Sequence, residues 1–233
     1  MENLLAHTER ITLELSNQCD MAAHHKACPL SLEIGCPKIL PSTVITDVLQ
    51  TLGHLSFVGT IAFHNYNEPL ADPRLDSILA EAKAACPSAE LYFSTNGSLL
   101  TQERLDRLVA AGLSRIAVSA YSKSEFARLS SLTYPIPNLV APMSLIPDHL
   151  SIYDLPEKNS RIPCHAPLRE IIVSRDANIL LCCREWQRRH TFGNLVVQTF
   201  EEILRGGELQ AAYARLSRGD RYLYLCKRCD WVR

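Results

Sequence analysis

Cys19, Cys28 and Cys36 stand behind the first apolar strand pattern of the chain, with eight and seven residues between them. Cys164, Cys182, Cys226 and Cys229 follow in the last third, with 17, 43 and 2 residues between them. In a reducing compartment, cysteines grouped in this way read as metal ligands before they read as disulfides. Three thiolates on a four-iron cubane leave one iron able to take a small molecule through an amino and a carboxylate group. Four thiolates satisfy every iron of a second cubane. The competing reading is structural zinc, which favours four ligands arriving in close pairs. His24 or His25 could complete a first zinc site, and only Cys226 and Cys229 form a close pair in the second. Cys86, alone at the end of a helical pattern, is expected to be a small buried apolar residue.

The elements that must position these residues alternate between strand and helix. Ile11–Leu15, Thr60–His64, Glu90–Ser94 and Arg115–Ser119 read as short apolar strands. Between them, Val44, Ile45, Val48, Leu49 and Leu52 recur at helical spacing behind Ser42, a candidate cap. Leu75, Ile78, Leu79 and Ala82 form a second such stripe. A third holds Leu105, Leu108 and Val109, opened by Thr101 and ended near Gly112. This alternation implies parallel strands with right-handed crossovers, and ligands then gather past the C-terminal strand ends. Cys19, Glu68, Asn96 and Ser119 all fall at such ends. Seven prolines between 135 and 167 exclude long helices there. Asn138–Ala141 and His149–Tyr153 are expected as short closing strands. Glu170–Ser174 and Asn178–Cys182 read as a β-hairpin, and Phe200–Leu204 and Leu209–Leu216 as short helices.

These residues, in this order, resemble the radical S-adenosylmethionine superfamily. That family carries three cysteines after the first strand of a partial barrel, a Gly-Gly-Glu-Pro motif after the second, and polar residues ending the third and fourth. Here Tyr66-Asn67-Glu68-Pro69 takes the second place, Ser94-Thr95-Asn96-Gly97 the third and Ser119 the fourth, over roughly residues 10–120. The usual cysteine spacing is three and two, and two glycines precede the glutamate, so this chain departs in both. The tail resembles the twitch form of the SPASM auxiliary-cluster domain, with a ligand on a hairpin and a closing Cys-x-x-Cys. The resemblance implies an α/β fold: a partial (β/α) barrel over residues 1–155 and a small C-terminal α+β twitch domain over 156–233. It implies two [4Fe–4S] clusters, on Cys19, Cys28 and Cys36 and on Cys164, Cys182, Cys226 and Cys229, with S-adenosyl-L-methionine as cofactor. Glu68 would take the methionine ammonium, and Thr95, Asn96 and Ser119 the ribose hydroxyls or the carboxylate. The cofactor would yield a 5′-deoxyadenosyl radical, with the protein positioning it and excluding water.

Composition limits the partners. With 24 basic against 25 acidic residues and a net charge of −1, no basic excess points to nucleic acid. No apolar stretch reaches the roughly 20 residues of a membrane span, and the first ten residues carry no signal-peptide core. A cytoplasmic protein is expected. The expected activity is oxidation of a small molecule in secondary metabolism, served by an electron donor such as flavodoxin or ferredoxin. A short ribosomal peptide is the second substrate class. Epimerisation or cross-linking is the second reaction; in an epimerase Cys183, a catalytic candidate beside the ligand Cys182, would hand over a hydrogen atom. Successive strand residues face opposite sides, so the two cysteines should diverge. His64, Asn65, Tyr66, Arg184 and Trp186 could face the substrate. A zinc-stabilised binding module accounts for the cysteines and leaves Glu68 unexplained.

Overall fold

Eight strands form one open sheet: β1 (Arg10–Leu13), β2 (Thr60–Ala62), β3 (Glu90–Thr95), β4 (Arg115–Ala120), β5 (Asn138–Pro142), β6 (Glu170–Val173), β7 (Asn178–Leu180) and β8 (Thr191–Asn194). Their spatial order is β5-β4-β3-β2-β1-β6-β7-β8. The computed structural model describes residues 5, 7–33, 35–143, 150–158 and 160–229. Strands β1 to β6 are parallel to their neighbours, and β7 and β8 are antiparallel additions. The sheet does not close, and the architecture is the expected α/β partial barrel.

The crossovers carry α1 (Ser42–His54), α2 (Leu75–Ala85), α3 (Gln102–Ala110) and α4 (Lys123–Ser130). α1 and α2 bury the stripes their periodicity announces, α3 buries Leu105 and Leu108 with Val109 half-buried, and α4 buries Leu129. On α1, Val44, Ile45, Val48, Leu49 and Leu52 are all buried, at about 1.5–3 kcal/mol per side chain removed from water. They pack with Ile11, Leu13, Ile61, Phe63, Leu91 and Phe93 in one continuous core. Thr101 caps α3 by accepting from the Arg104 N–H, as expected. Ser42 does not cap α1. It is the first helical residue, behind Pro41, and its hydroxyl accepts from Arg74 Nη1 at 3.1 Å. Cys86 is 2 % exposed at the end of α2.

The tail adds to the same sheet. β6 pairs with β1 from Arg10↔Glu170 to Leu13↔Val173, so the sheet runs unbroken across residue 155. A short helix, α5 (Ala166–Arg169), leads into β6, and α6 (Phe200–Arg205), α7 (Gly207–Leu216) and α8 (Tyr224–Arg228) complete the tail. The expected strand over His149–Tyr153 is not formed: Ser151–Tyr153 is a 3₁₀ turn, and His149 lies outside the described residues. Its Ile152 and Tyr153 are buried against Leu181, Leu216 and Leu225 in a second apolar cluster, and a helical turn delivers both to that cluster.

Inside the barrel, side chains of alternate strand positions stack in layers. The N-terminal strand ends are closed by charge. Arg115 forks onto Glu90 with two bonds of 2.8 Å, and Thr12 Oγ1 donates to Glu170 at 2.7 Å. Tyr92 lies under the Arg115 guanidinium, 4.0 Å from ring centroid to Cζ. The opposite, C-terminal ends are left for the site.

Candidate active site

A chamber of about 530 Å³ opens at the C-terminal strand ends. Cys19, Cys28, Glu68, Thr95, Asn96 and Ser119 line one side, and Cys183 and Arg184 line it from the tail. Thus residues separated by up to 165 positions face one space. Cys36, the third member of the first cysteine group, is exposed and is not part of the chamber wall. Of the five residues that could face a substrate, His64, Asn65, Tyr66 and Arg184 line the chamber. Trp186 does not: it packs in the second apolar cluster, edge-on to Tyr153 with centroids 5.3 Å apart.

Glu68 is held with unusual completeness. It begins a 3₁₀ turn over Pro69–Ala71. Its Oε1 accepts from the Leu70 N–H at 3.0 Å and from Thr95 Oγ1 at 2.5 Å. Its Oε2 accepts from the Asn96 N–H at 2.7 Å, and its own N–H donates to the Gln18 carbonyl at 2.8 Å. The loops after β1, β2 and β3 therefore meet at this residue, the first through its backbone and the others through its carboxylate. Burial pushes its carboxyl up to about 7, against three hydrogen bonds that pull it down. A cation arriving at the chamber would restore the ionised form. Asn96 Nδ2 reaches Asp20 Oδ1 at 2.7 Å and the Cys19 sulfur at 3.9 Å. Gly97 follows at φ +74°, where a Cβ would stand 2.7 Å from Val118 Cγ1, so only glycine lets the chain turn there.

His64 is neutral. Burial, then Arg10 and Arg115, push it down to about 3. Its Nδ1 accepts from the Ser94 N–H at 3.2 Å, which leaves the ring proton on Nε2. Tyr66, which stands where the motif has glycine, was expected only as a possible substrate contact. It also acts as a strut: its hydroxyl donates to the Cys183 carbonyl at 2.7 Å, tying the motif loop to the tail turn that carries Cys182 and Cys183. Sequence gives no signal for that bond, because its partners lie 117 positions apart.

Cys182 and Cys183 do diverge, although both lie in the turn just beyond β7. Cys183 faces the chamber. Cys182 packs with Cys164, Cys226 and Cys229. Burial, then the neighbouring Cys183, push the Cys182 thiol far up; burial, then Cys164 and Cys229, push Cys226 up to about 12. In the first group burial pushes Cys19 up to about 11 and also raises Cys28. Thiols gathered in a buried place, each opposing the other's ionisation, are a donor set that ionises when a metal supplies the charge. The tail group therefore fits an iron–sulfur cluster in chemistry, with the four sulfurs that a fully ligated cubane needs; in the first group Cys19 and Cys28 have the same character, and Cys36 is exposed. Among the described residues, no three His, Cys, Asp or Glu side chains close in on a single metal ion. One tail thiol has a cation beside it: Arg184 Nη1 donates to Cys229 Sγ at 3.7 Å.

Known proteins are similar to this chain in sequence and fold. Residues 164–230 match the SPASM family, an iron–sulfur cluster-binding domain. The chain is 24% identical to the S-adenosyl-L-methionine-dependent 2-deoxy-scyllo-inosamine dehydrogenase of Niallia circulans, over 95% of this chain and 92% of that one. Residues amounting to 47% of the chain are 31% identical to a GTP 3′,8-cyclase of Synechococcus, covering 31% of that protein. The crystal structure of BtrN in complex with AdoMet and 2-DOIA superposes with a TM-score of 0.80 at 23% identity, over 97% of this chain and 94% of that one. The match over residues 164–230 gives the tail as similar to a SPASM iron–sulfur cluster-binding domain, and the likeness along nearly the whole chain shows that it shares its fold with BtrN and resembles an S-adenosyl-L-methionine-dependent dehydrogenase.

Proposed function

We propose that this chain is a radical S-adenosylmethionine dehydrogenase that oxidises a small molecule in secondary metabolism. The observation that carries the reading is the chamber. It joins the Glu68–Thr95–Asn96 cradle and Cys19 and Cys28 on one wall to the turn of the second cysteine group on the other. Its relative of similar length is a dehydrogenase by name, which fits the same reaction class.

In this reading Cys19, Cys28 and Cys36 hold the first cluster, and residues 1–155 form the unit that binds it with S-adenosylmethionine. Residues 156–233 hold the second cluster through Cys164, Cys182, Cys226 and Cys229. When bound, these groups supply a 5′-deoxyadenosyl radical for hydrogen abstraction and an acceptor for the remaining electron. The chain's own residues bind and orient. Glu68 accepts from the methionine ammonium, a charge-assisted contact made in a buried place. Thr95 and the Asn96 N–H hold that carboxylate in position, while Asn96 and Ser119 present polar groups to ribose or carboxylate oxygens. His64 offers one Nε2–H, and Arg184 offers donors only. The substrate therefore brings acceptor oxygens to these two, which suits a polyhydroxylated small molecule. The protein works in the cytoplasm, and an electron donor such as flavodoxin or ferredoxin reduces the first cluster.

Cys183 lines the chamber, and that observation keeps epimerisation as the second reading, with the thiol returning a hydrogen atom to the substrate radical. The test is Cys183→Ala, assayed without oxygen in deuterated solvent. The dehydrogenase reading expects retained turnover and no solvent deuterium at the reacting carbon. Lost turnover with both clusters intact, together with deuterium in the wild-type product, replaces it by the epimerase.

A further inference from the structure

The widened cysteine loop needs something to hold it. Eight and seven residues separate its cysteines, and one short 3₁₀ turn, Pro29–Leu32, is its only helix among the described residues. Its ends are stapled by Asn17, whose Nδ2 donates to the Cys36 carbonyl at 2.7 Å and whose Oδ1 accepts from the Lys38 N–H at 2.8 Å. Its middle is held by charge from elsewhere in the chain. Glu33, between Cys28 and Cys36, accepts from Arg175 Nη2 and lies 3.5 Å from Arg188 Nη1. Both arginines belong to the tail. Arg175 opens the turn between β6 and β7, and Arg188 follows the Cys182–Cys183 turn.

Both arginines also reach Glu14, one residue past β1. Arg175 Nη1 is 2.8 Å and Arg188 Nη2 3.5 Å from its carboxylate, and the Arg175 N–H donates to it at 3.2 Å. Asp176 closes the group, 3.1 Å from Arg188 Nε and 3.1 Å from Lys38 Nζ. Three cations thus meet three anions. Glu14 is 0 % and Arg175 1 % exposed on their side chains, so neither charge is tolerable without its partners. Arg188 sits at φ +54°, a conformation that a non-glycine residue adopts only when its surroundings require it. Cys28 immediately precedes the Pro29–Leu32 turn and Glu33 ends it, so the network grips the turn that begins at the middle cysteine of the first group.

We propose that this six-charge network is a positioning device in which the tail, through Arg175 and Arg188 acting on Glu33, fixes the long cysteine loop so that Cys28 is presented to the first cluster. Assembly of the first cluster then depends on the docked tail. The proposal rests on the reading of Cys19, Cys28 and Cys36 as ligands. The iron content of the wild-type protein tests that reading separately.

The test begins on the full metal-free chain, by alkylation with iodoacetamide followed by mass spectrometry. Glu33→Gln and Arg188→Gln remove the partly exposed arms and leave the buried Glu14–Arg175 pair intact. Each should raise the alkylation rate at Cys28 by about ten- to a hundredfold, the loss of a hydrogen bond to a charged group. Cys86, buried outside both ligand groups, reports the global fold and should stay slow, and Cys182 and Cys226 should not change. Arg188→Lys keeps the charge and should stay near the wild type. After anaerobic reconstitution, the two Gln variants should keep the spectrum of the second cluster and lose that of the first. An unchanged rate at Cys28, or an equal rise at Cys28, Cys86 and Cys226, overturns the proposal.

Discussion

Replacing Glu68 by glutamine removes one charge from a place where the structure has prepared for it. In the ligand-free protein, burial holds the Glu68 carboxyl at about 7, against an ordinary value of 4.5. The sign follows from linkage. The unfolded carboxyl ionises first, so the stability this group lends is complete below pH 4.5 and is lost as pH rises through 7. Fully ionised at pH 8, the buried carboxylate costs the empty protein about 3 kcal/mol. A bound ammonium offsets that cost, so ligand binding and ionisation of Glu68 favour one another. S-adenosylmethionine affinity in the iron-loaded wild type should therefore fall about tenfold between pH 8 and pH 6, because below 7 a proton must leave before the cation enters. Glu68→Gln should weaken binding at pH 8 by roughly 1.5–3 kcal/mol, about 10- to 150-fold. Its affinity should no longer follow pH through 7. Its amide nitrogen would also oppose one of the N–H or O–H donors now aimed at the carboxylate, and a modest loss of stability should accompany the change. Anaerobic titration calorimetry at pH 6, 7 and 8 measures both effects. Equal affinity in the variant, or a wild-type affinity flat across that range, would remove Glu68 from the cofactor site.

Further outcomes follow from the same geometry. Anaerobically reconstituted wild type should hold about eight irons per chain, and the triple variant Cys19→Ala, Cys28→Ala, Cys36→Ala about four, by iron and sulfide analysis; stoichiometric zinc without iron would overturn both ligand assignments. Arg184→Gln should keep its iron but lose the donor to Cys229 Sγ, lowering the second cluster's reduction potential by on the order of 60 mV, a tenfold change for one electron, as read by redox titration of its electron paramagnetic resonance signal. Tyr66→Phe should cost about 1–3 kcal/mol in chemical denaturation, since the Cys183 carbonyl loses the hydroxyl donor in a buried turn; an unchanged midpoint would deny the strut.

Much of the site was legible because its residues fall at strand ends, and strand ends follow from periodicity. Glu68, Thr95, Asn96 and Ser119 each trail an apolar run, and parallel strands carry such positions to one rim. The divergence of Cys182 and Cys183 was also readable, although the period-2 argument applied to a strand that ends two residues earlier, at Leu180. What stayed hidden depends on partners far apart in sequence. The Arg175 bonds to Glu14 and Glu33 span 161 and 142 positions, and each residue alone resembles a solvated charge. The hairpin was visible in its alternation, but alternation does not say that β6 would join the free edge of β1. β8 was missed because Thr191–Asn194 offers one large apolar residue, Phe192, and a glycine. Trp186 stayed open between a substrate wall and an apolar core because an aromatic after a ligand cysteine suits either, and here it packs in the cluster built by Ile152, Tyr153, Leu181, Leu216 and Leu225.

The central claim is that the first cysteine group holds a cluster that cleaves S-adenosylmethionine. The most direct measurement is chromatographic quantification of 5′-deoxyadenosine after the anaerobic, iron-loaded protein is mixed with S-adenosylmethionine and dithionite. 5′-Deoxyadenosine should accumulate with the wild type, slowly without substrate, and should be absent when Cys19, Cys28 and Cys36 are all alanine. A wild-type protein carrying its full complement of iron and forming no 5′-deoxyadenosine would contradict the account.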